Sequence, residues 1–270
     1  MHKKNLYLIL LTIITIASAI IGILIHVILP AGSWFADFDE YYDFDEHYDF
    51  DEHYDSDDFI AGSTTSKELD AFQSIDFDVN VADITITSGD TYRISYQTRK
   101  EELIPSYEIK DGTLYVKQAP EKTLHGLTHN TSCTLMITVP KNTELSQITG
   151  KSAVGDFTME NASAIQMDVS VNVGDTELTD VVLQQVTIGS DVGDISLEDV
   201  TFDIASLTSN VGDVDVTSAL SLDDFQMDLS CGFGEIEVND NSYHEKYQSN
   251  VISEKSLTVS TATGDIDISY

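Results

Sequence analysis

The chain has 270 residues, 41% of them hydrophobic, and sets 13 Lys and Arg against 47 Asp and Glu for a formal net charge of -34. That length accommodates one or two domains with a genuine core. The charge excludes attraction to nucleic acid or to anionic lipid headgroups, so a charged partner would have to be cationic: a divalent metal or a basic patch on another protein.

In chain order, the first element is an apolar run. Leu6 to Leu29 is uncharged over 24 residues and is ended by Pro30. At about 1.5 Å per residue such a helix crosses a hydrocarbon core of roughly 30 Å with some tilt. Residues 5–29 are therefore expected to be one transmembrane helix. Lys3 and Lys4 precede it and the next positive charge is Lys67, which places residues 1–4 in the cytoplasm and the remainder of the chain outside. The run is longer than the apolar part of a cleaved signal peptide, and an uncleaved anchor in the cell membrane is the expectation.

Residues 30–66 are expected to be an extended stalk. From Tyr42 the period is six: Tyr42-Asp43-Phe44-Asp45-Glu46-His47, then Tyr48-Asp49-Phe50-Asp51-Glu52-His53, then Tyr54-Asp55-Ser56-Asp57-Asp58-Phe59. Dense like charge keeps such a segment extended and without a core. Divalent-metal capture through the carboxylates with His47 and His53 is the alternative, but no EF-hand spacing organises a cage.

Residues 67–270 carry the strongest signal. Gly155-Asp156, Gly174-Asp175, Gly193-Asp194 and Gly212-Asp213 recur at intervals of 19, and Gly234-Glu235 and Gly264-Asp265 come after 22 and 30 residues. An earlier copy, Val79 to Ile84, has Ala82 in place of the glycine. Apolar residues alternate before each pair, as in Met167, Val169, Val171 and Val173, in Val186, Ile188 and Val192, or in Met227, Leu229, Cys231 and Phe233. They resume after it at Ile195 and Leu197, Val214 and Val216, Ile236 and Val238, and Ile266 and Ile268. Period two predicts strands with one buried face. Val192 to Ile195 is a step of three, so the chain must turn at the pair, with glycine bending and the carboxylate accepting backbone N–H groups.

A unit of this size cannot bury its own apolar face, whereas identical units stacked at about 4.8 Å can. The predicted fold is an all-β, single-chain β-solenoid with structural corners at Gly155, Gly174, Gly193, Gly212, Gly234 and Gly264. Asn172, Asp191 and Asn210 should form one outward column, and Glu177, Ser196, Asp215 and Glu237 another. Residues 87–147 are expected to interrupt the stack as a β-hairpin insertion, with Asp111-Gly112 as one turn. The final coil, ending at Tyr270, should leave an exposed edge through which a second copy could pair.

The Val-Gly-Asp-Ile/Val-x-Leu/Val coils, the strand Leu135-Met136-Ile137-Thr138-Val139-Pro140 and Leu145 after it resemble the bacterial putative-adhesin family of Gly-Asp β-strand-repeat envelope proteins. The resemblance covers roughly residues 70 to 270. It implies a surface or membrane-attached β-repeat domain that acts as an adhesin-like binding or scaffold module, and it carries no catalytic residues or cofactor over. Ala82, where the family has glycine, puts the geometry of the first corner in doubt.

Asp156, Asp175, Asp194, Asp213 and Asp265 should form a ladder of like charges, which repel unless each is hydrogen-bonded or shares a cation. Corner capping is the preferred reading and weak calcium binding the alternative. His125, His129 and Cys133 are spaced as ligands on a helix, but they sit in a loop-like composition with no fourth ligand. Cys231 falls in an inward column and reads as a buried free thiol. From Ser152 to Glu245 there are 20 acids and no Lys or Arg, which argues against a polysaccharide lyase. The expected partners are the membrane and an unknown envelope protein or surface ligand; an accessory role in an envelope-stress or signalling system is the alternative.

Overall fold

The computed structural model describes residues 64–98, 100–118, 133–218 and 220–270. The membrane helix expected at 5–29, the hexapeptide repeat, His125 and His129 lie outside the described residues. Among the described residues no helix is long and apolar enough to cross a membrane. What they form is all-β, apart from one short 3-10 turn at Glu101–Leu103.

The domain opens with β1 (Thr64–Glu68), β2 (Ser74–Val81), β3 (Asp83–Gly89) and β4 (Arg93–Thr98). β5 (Ser106–Lys110), β6 (Thr113–Lys117) and β7 (Cys133–Pro140) come next. Each Gly-Asp interval then supplies a long strand and a short one: β8 (Glu144–Val154) with β9 (Phe157–Glu160), and β10 (Ser163–Val173) with β11 (Thr176–Thr179). The pattern continues with β12 (Val182–Val192) and β13 (Ile195–Glu198), then β14 (Ile204–Val211) and β15 (Val214–Thr217). The last strands are β16 (Gln226–Phe233), β17 (Ile236–Val238), β18 (Asn241–Tyr243), β19 (Lys246–Gln248), β20 (Ser256–Thr263) and β21 (Ile266–Ser269).

Long strands pair in parallel with long strands, and short with short, each time displaced by one repeat. Met167 lies between Ile148 and Val186, and Leu178 between Met159 and Leu197. This is the stack of coils that the interval of 19 predicts. Its interior is the two inner faces: Ile148, Met167, Val186, Ala205, Leu257 and Met227 from the long strands meet Leu135, Ile86, Met159, Leu178, Leu197 and Val216 from the short ones, all buried.

Each coil has a second corner that the Gly-Asp pattern does not reveal. Asn161, Asp180 and Asp199 adopt φ of 52°, 53° and 53°, the left-handed region in which Asn and Asp are the most tolerant side chains after glycine. The next residues, Ala162, Val181 and Val200, are buried against the core.

The alternation into the Gly-Asp corner breaks earlier than expected. Val173, Val192 and Phe233, read from the sequence as inward, are exposed together with Val154 and Val211. The last inward positions are Val171, Ser190 and Cys231, two places earlier. The strand already turns at the residue before glycine, so several successive residues face out instead of two.

At both ends the coils depart from chain order. β20 pairs with β14 on one side and β16 on the other, and β21 lies likewise between β15 and β17. The last coil in the chain is therefore internal, and the free edge expected at Tyr270 does not exist. The outer coil, β16 and β17, is covered by antiparallel strands, β19 on β16 and β18 on β17. At the other end β2 lies between β6 and β8, and β3 between β7 and β9. β5 and β4 close that end antiparallel, and β1 covers β4. Asp111-Gly112 does turn a hairpin between β5 and β6. Yet β6 and β7 extend the stack in parallel beyond β2 and β3, so β4 to β7 build its outer layers where an interruption by residues 87–147 was expected. Short antiparallel strands over a parallel stack limit the unpaired backbone it would otherwise offer.

Two details show how the first coil is fitted. Phe77 stacks on Phe157 with ring centroids 5.6 Å apart. A Cβ at Gly150, the register partner of Phe77, would stand 1.9 Å from that ring, so the missing side chain makes the space for it.

Candidate functional site

The Gly-Asp corners stack into one column. Gly155, Gly174, Gly193, Gly212, Gly264 and Gly234 have φ between 124° and 151°. A Cβ on Gly193 would lie 2.0 Å from the Gly174 carbonyl oxygen, and the same contact recurs along the column. Glycine is thus required twice over, by its torsion and by the distance of closest approach between coils. Ala82 does not share the positive φ, so the first corner turns differently, although Asp83 beside it still accepts a hydrogen bond from the neighbouring coil.

Each corner aspartate accepts a hydrogen bond from the backbone N–H of the neighbouring coil. Asp156 Oδ1 accepts from Asp175 N at 2.9 Å, Asp175 Oδ1 from Asp194 N at 2.8 Å, and Asp194 Oδ1 from Asp213 N at 2.8 Å. Asp213 Oδ1 accepts from Asp265 N at 2.7 Å and Asp265 Oδ1 from Glu235 N at 2.7 Å. Asp83 begins the series on Asp156 N at 3.2 Å. The ladder expected from the sequence is present, and an N–H partner at each rung offsets the repulsion between like charges. Among the described residues no three His, Cys, Asp or Glu side chains converge as a metal site.

Beneath the column the interior is polar in one file. Ser190 Oγ and Ser209 Oγ donate to the Gly193 carbonyl at 3.3 and 3.1 Å, and Thr261 Oγ1 to the Gly212 carbonyl at 3.1 Å. Cys231 Sγ lies 3.2 Å from the Gly264 carbonyl. These buried groups satisfy carbonyls that the bend turns away from the ladder. Cys231 is a buried free thiol whose pKa is pushed up by burial and then by Asp265.

No Gly-Asp pair follows β6, and Gln118, the residue after its last, makes side-chain hydrogen bonds of its own. Its Oε1 accepts from Asn80 N at 3.0 Å and Val81 N at 2.9 Å, and its Nε2 donates to the Val81 and Leu103 carbonyls at 3.1 and 2.9 Å. Nothing in the local sequence marks this residue, since its partners are 15 or more positions away. Cys133, also free, lies at the start of β7; burial pushes its thiol up to about 11, against a hydrogen bond with Gln118 that lowers it.

The outward columns are polar. Asn172, Asp191 and Asn210 are exposed, and Asn210 Nδ2 donates to Asp191 Oδ1 at 2.9 Å. Glu177, Ser196, Asp215 and Glu237 share a second column in which Asp267 is inserted between Asp215 and Glu237. Asp215 is held above the ordinary carboxylate range, first by partial burial and then by repulsion from Asp267, with smaller effects of Asp213, Asp194 and Asp265.

Two open clefts occur at opposite ends of the stack. One of about 490 Å³ lies on the β5–β6 hairpin beside Tyr107, Lys110, Tyr115 and Lys117. The other, of about 290 Å³, is bounded by Asp223, Phe225, Tyr247 and Tyr270. In the second, Tyr270 Oη donates to Asp223 Oδ1 at 3.4 Å; no His or Cys lines either cleft, and His244, the one histidine among the described residues, is exposed on the β18–β19 connection.

A model of the family described as Toastrack DUF4097 matches residues 72–270. Among solved structures, a protein from Clostridium sporogenes named as a putative cell adhesion protein superposes with a TM-score of 0.51 at 15% identity, over 77% of this chain and 99% of that one. A putative adhesin from Bacteroides fragilis gives a TM-score of 0.44 at 15% identity, over 76% and 95% of the two chains. At such identity the first likeness speaks for the fold. No curated protein matches the chain.

Proposed function

The chain belongs to the Toastrack DUF4097 family, and on that premise we propose that it is a non-catalytic, adhesin-like binding or scaffold module of the cell surface. The observation that carries this reading is the stack itself. Outward columns of Ser, Thr, Asn, Asp and Glu repeat along it at the strand spacing, and no His or Cys lines either cleft. Such a surface suits recognition along a length rather than turnover at a point. The name of the C. sporogenes neighbour, a putative cell adhesion protein, agrees with it.

In this reading residues 5–29 hold the chain in the cell membrane, with residues 1–4 in the cytoplasm, the acidic repeat as a spacer and the β-domain outside. Calcium enters at most as a counter-ion, because one oxygen of each corner carboxylate from Asp156 to Asp265 already has a backbone partner. Chelator should leave the thermal midpoint unchanged, and a fall on its addition would assign a metal to the column.

The test is a deletion of residues 64–270 that keeps the membrane segment, scored by binding of cells to envelope material or to a surface. Loss of binding supports the module. A phenotype that survives the deletion assigns the activity to the N-terminal segment, as an accessory role in envelope signalling requires. Turnover of any member of a glycan panel by the intact chain would refute the non-catalytic reading.

A further inference from the structure

The residues before the corner glycines, together with Val81 before Ala82, form one file that is apolar at every rung but Thr263. In register, Val81 neighbours Val154, then come Val173, Val192, Val211, Thr263 and Phe233. Val154, Val173, Val192 and Val211 are 46, 47, 47 and 49% exposed, and Phe233 is 65% exposed. Scattered apolar side chains on a surface are ordinary, but a contiguous file of them marks a contact surface. The outward positions leading up to the file are polar, as at Asp168, Ser170 and Asn172 or at Thr187, Gly189 and Asp191, while Ile165, Val182 and Ile204 are exposed at the far ends of the same strands. What sets the valines apart is that they recur in register from coil to coil. Packing between coils does not demand them, since Thr263 occupies one rung.

One side of the file is acidic and the other polar. Two residues further along each strand stands the column Asp156, Asp175, Asp194, Asp213 and Asp265, and one residue before it stands Asn172, Asp191 and Asn210. No Lys or Arg occurs between residues 152 and 245 to neutralise them. These strands are paired on both edges, so a partner cannot add to the sheet through its backbone and must pack side chain on side chain. Rungs recur at about 4.8 Å and the turns of an α-helix at about 5.4 Å, a mismatch of roughly 2 Å over four rungs. Seven rungs span about 29 Å, the length of a helix of roughly 20 residues.

We propose that this file is the docking surface of the module, and that its occupant is a cationic amphipathic helix of a partner protein, with its apolar stripe on the valines and Phe233 and its flanking Lys or Arg against the aspartate column. This rests on the reading of the domain as a binding module and names the chemistry of its partner.

The probe is a helix-forming peptide of about 20 residues made of Leu and Lys, with an apolar stripe along one face. Its controls are the same composition scrambled and a Leu/Glu analogue. The full chain is held in phosphatidylcholine nanodiscs, with empty nanodiscs subtracted. The variant is Val173→Thr/Val192→Thr/Val211→Thr, a change that the native Thr263 shows the column to accept, with its fold checked by circular dichroism.

The Leu/Lys peptide should bind wild type with an affinity that falls as salt rises, and the triple variant should bind about tenfold more weakly, as expected for loss of apolar contact at three rungs. Equal binding of the triple variant or of the scrambled peptide overturns the proposal, and so does no binding. A pull-down from membranes with wild type and triple variant as bait separates the two levels. If both retrieve the same partner while the peptide result is negative, the module stands and this surface is wrong; if neither retrieves one, both readings fall.

Discussion

The middle of the stack and its two ends obey different rules. From Glu144 to Thr217 every coil repeats the one before it, chain order equals spatial order, and the two corners recur with the same torsions. At the ends the chain lays down an outer coil and returns to fill the place beneath it or, at the start, is later covered by one. The difference teaches that a repeat can propagate by local rules, whereas ending it needs contacts between distant residues. β16 and β20 are neighbours although their register partners Met227 and Leu257 are separated by a hairpin and a loop.

Removing residues 256–270 is the severest way to break this contrast. In a serial stack the deletion would trim one coil. Here it removes the shared neighbour of β14 and β16, and limited proteolysis should find residues 226–248 digested as well, leaving a protected core that ends near Thr217. Survival of 226–248 would mean that the outer coil can move inward onto β14.

Next in size is Gly193→Ala in the middle of the stack. The added Cβ meets the Gly174 carbonyl at 2.0 Å in a backbone of φ 143°, and we expect a loss of about 3 to 5 kcal/mol in urea denaturation. At the N-terminal end Gly112→Ala meets nothing within 4 Å and should cost only about 1 kcal/mol for its φ of 76°.

The caps provide a finer comparison. Gln118→Ala at the end coil removes a buried side chain that serves four backbone groups, and should cost about 2 to 3 kcal/mol. Asp194→Ala in the middle removes an exposed acceptor whose N–H partner water can serve, and should cost about 1 kcal/mol. Reversal of that order in thermal unfolding would remove the distinction between distant and local caps.

The smallest effect concerns pH. Asp215 has its folded pKa raised, so whatever stability it contributes is present below the ordinary carboxylate range and is lost as pH rises through the raised value. Asp215→Asn should therefore raise the thermal midpoint slightly at neutral pH, with the gain vanishing in acid, where the wild-type side chain is also neutral. An equal gain at both pH values would point to packing instead of charge.

Much of the candidate site was legible. The corner glycines and the aspartate ladder are written in a dipeptide at fixed spacing, because a left-handed residue and a short acceptor leave few alternatives. The second corner left a trace in Asn161, Asp180 and Asp199, at the same interval of 19, but Asx residues are common in outward positions and the trace is easily passed over. The outward valines were misread for a plain reason: valine continues a period of two, and only the bend shows that the next one has left the core. Gln118 was invisible, since its partners come from β2 and from the 3-10 turn, far away in the chain.

By itself the sequence determined that the chain carries a strongly acidic β-repeat with aliphatic residues inside and a bend at each Gly-Asp pair, because alternation and backbone torsion are local properties. Tertiary structure alone decided which coil lies beside which, what closes the ends and which valines remain exposed. Those depend on pairing between residues far apart in the chain, and the backbone hydrogen bonds that make such pairs are the same whatever the side chains.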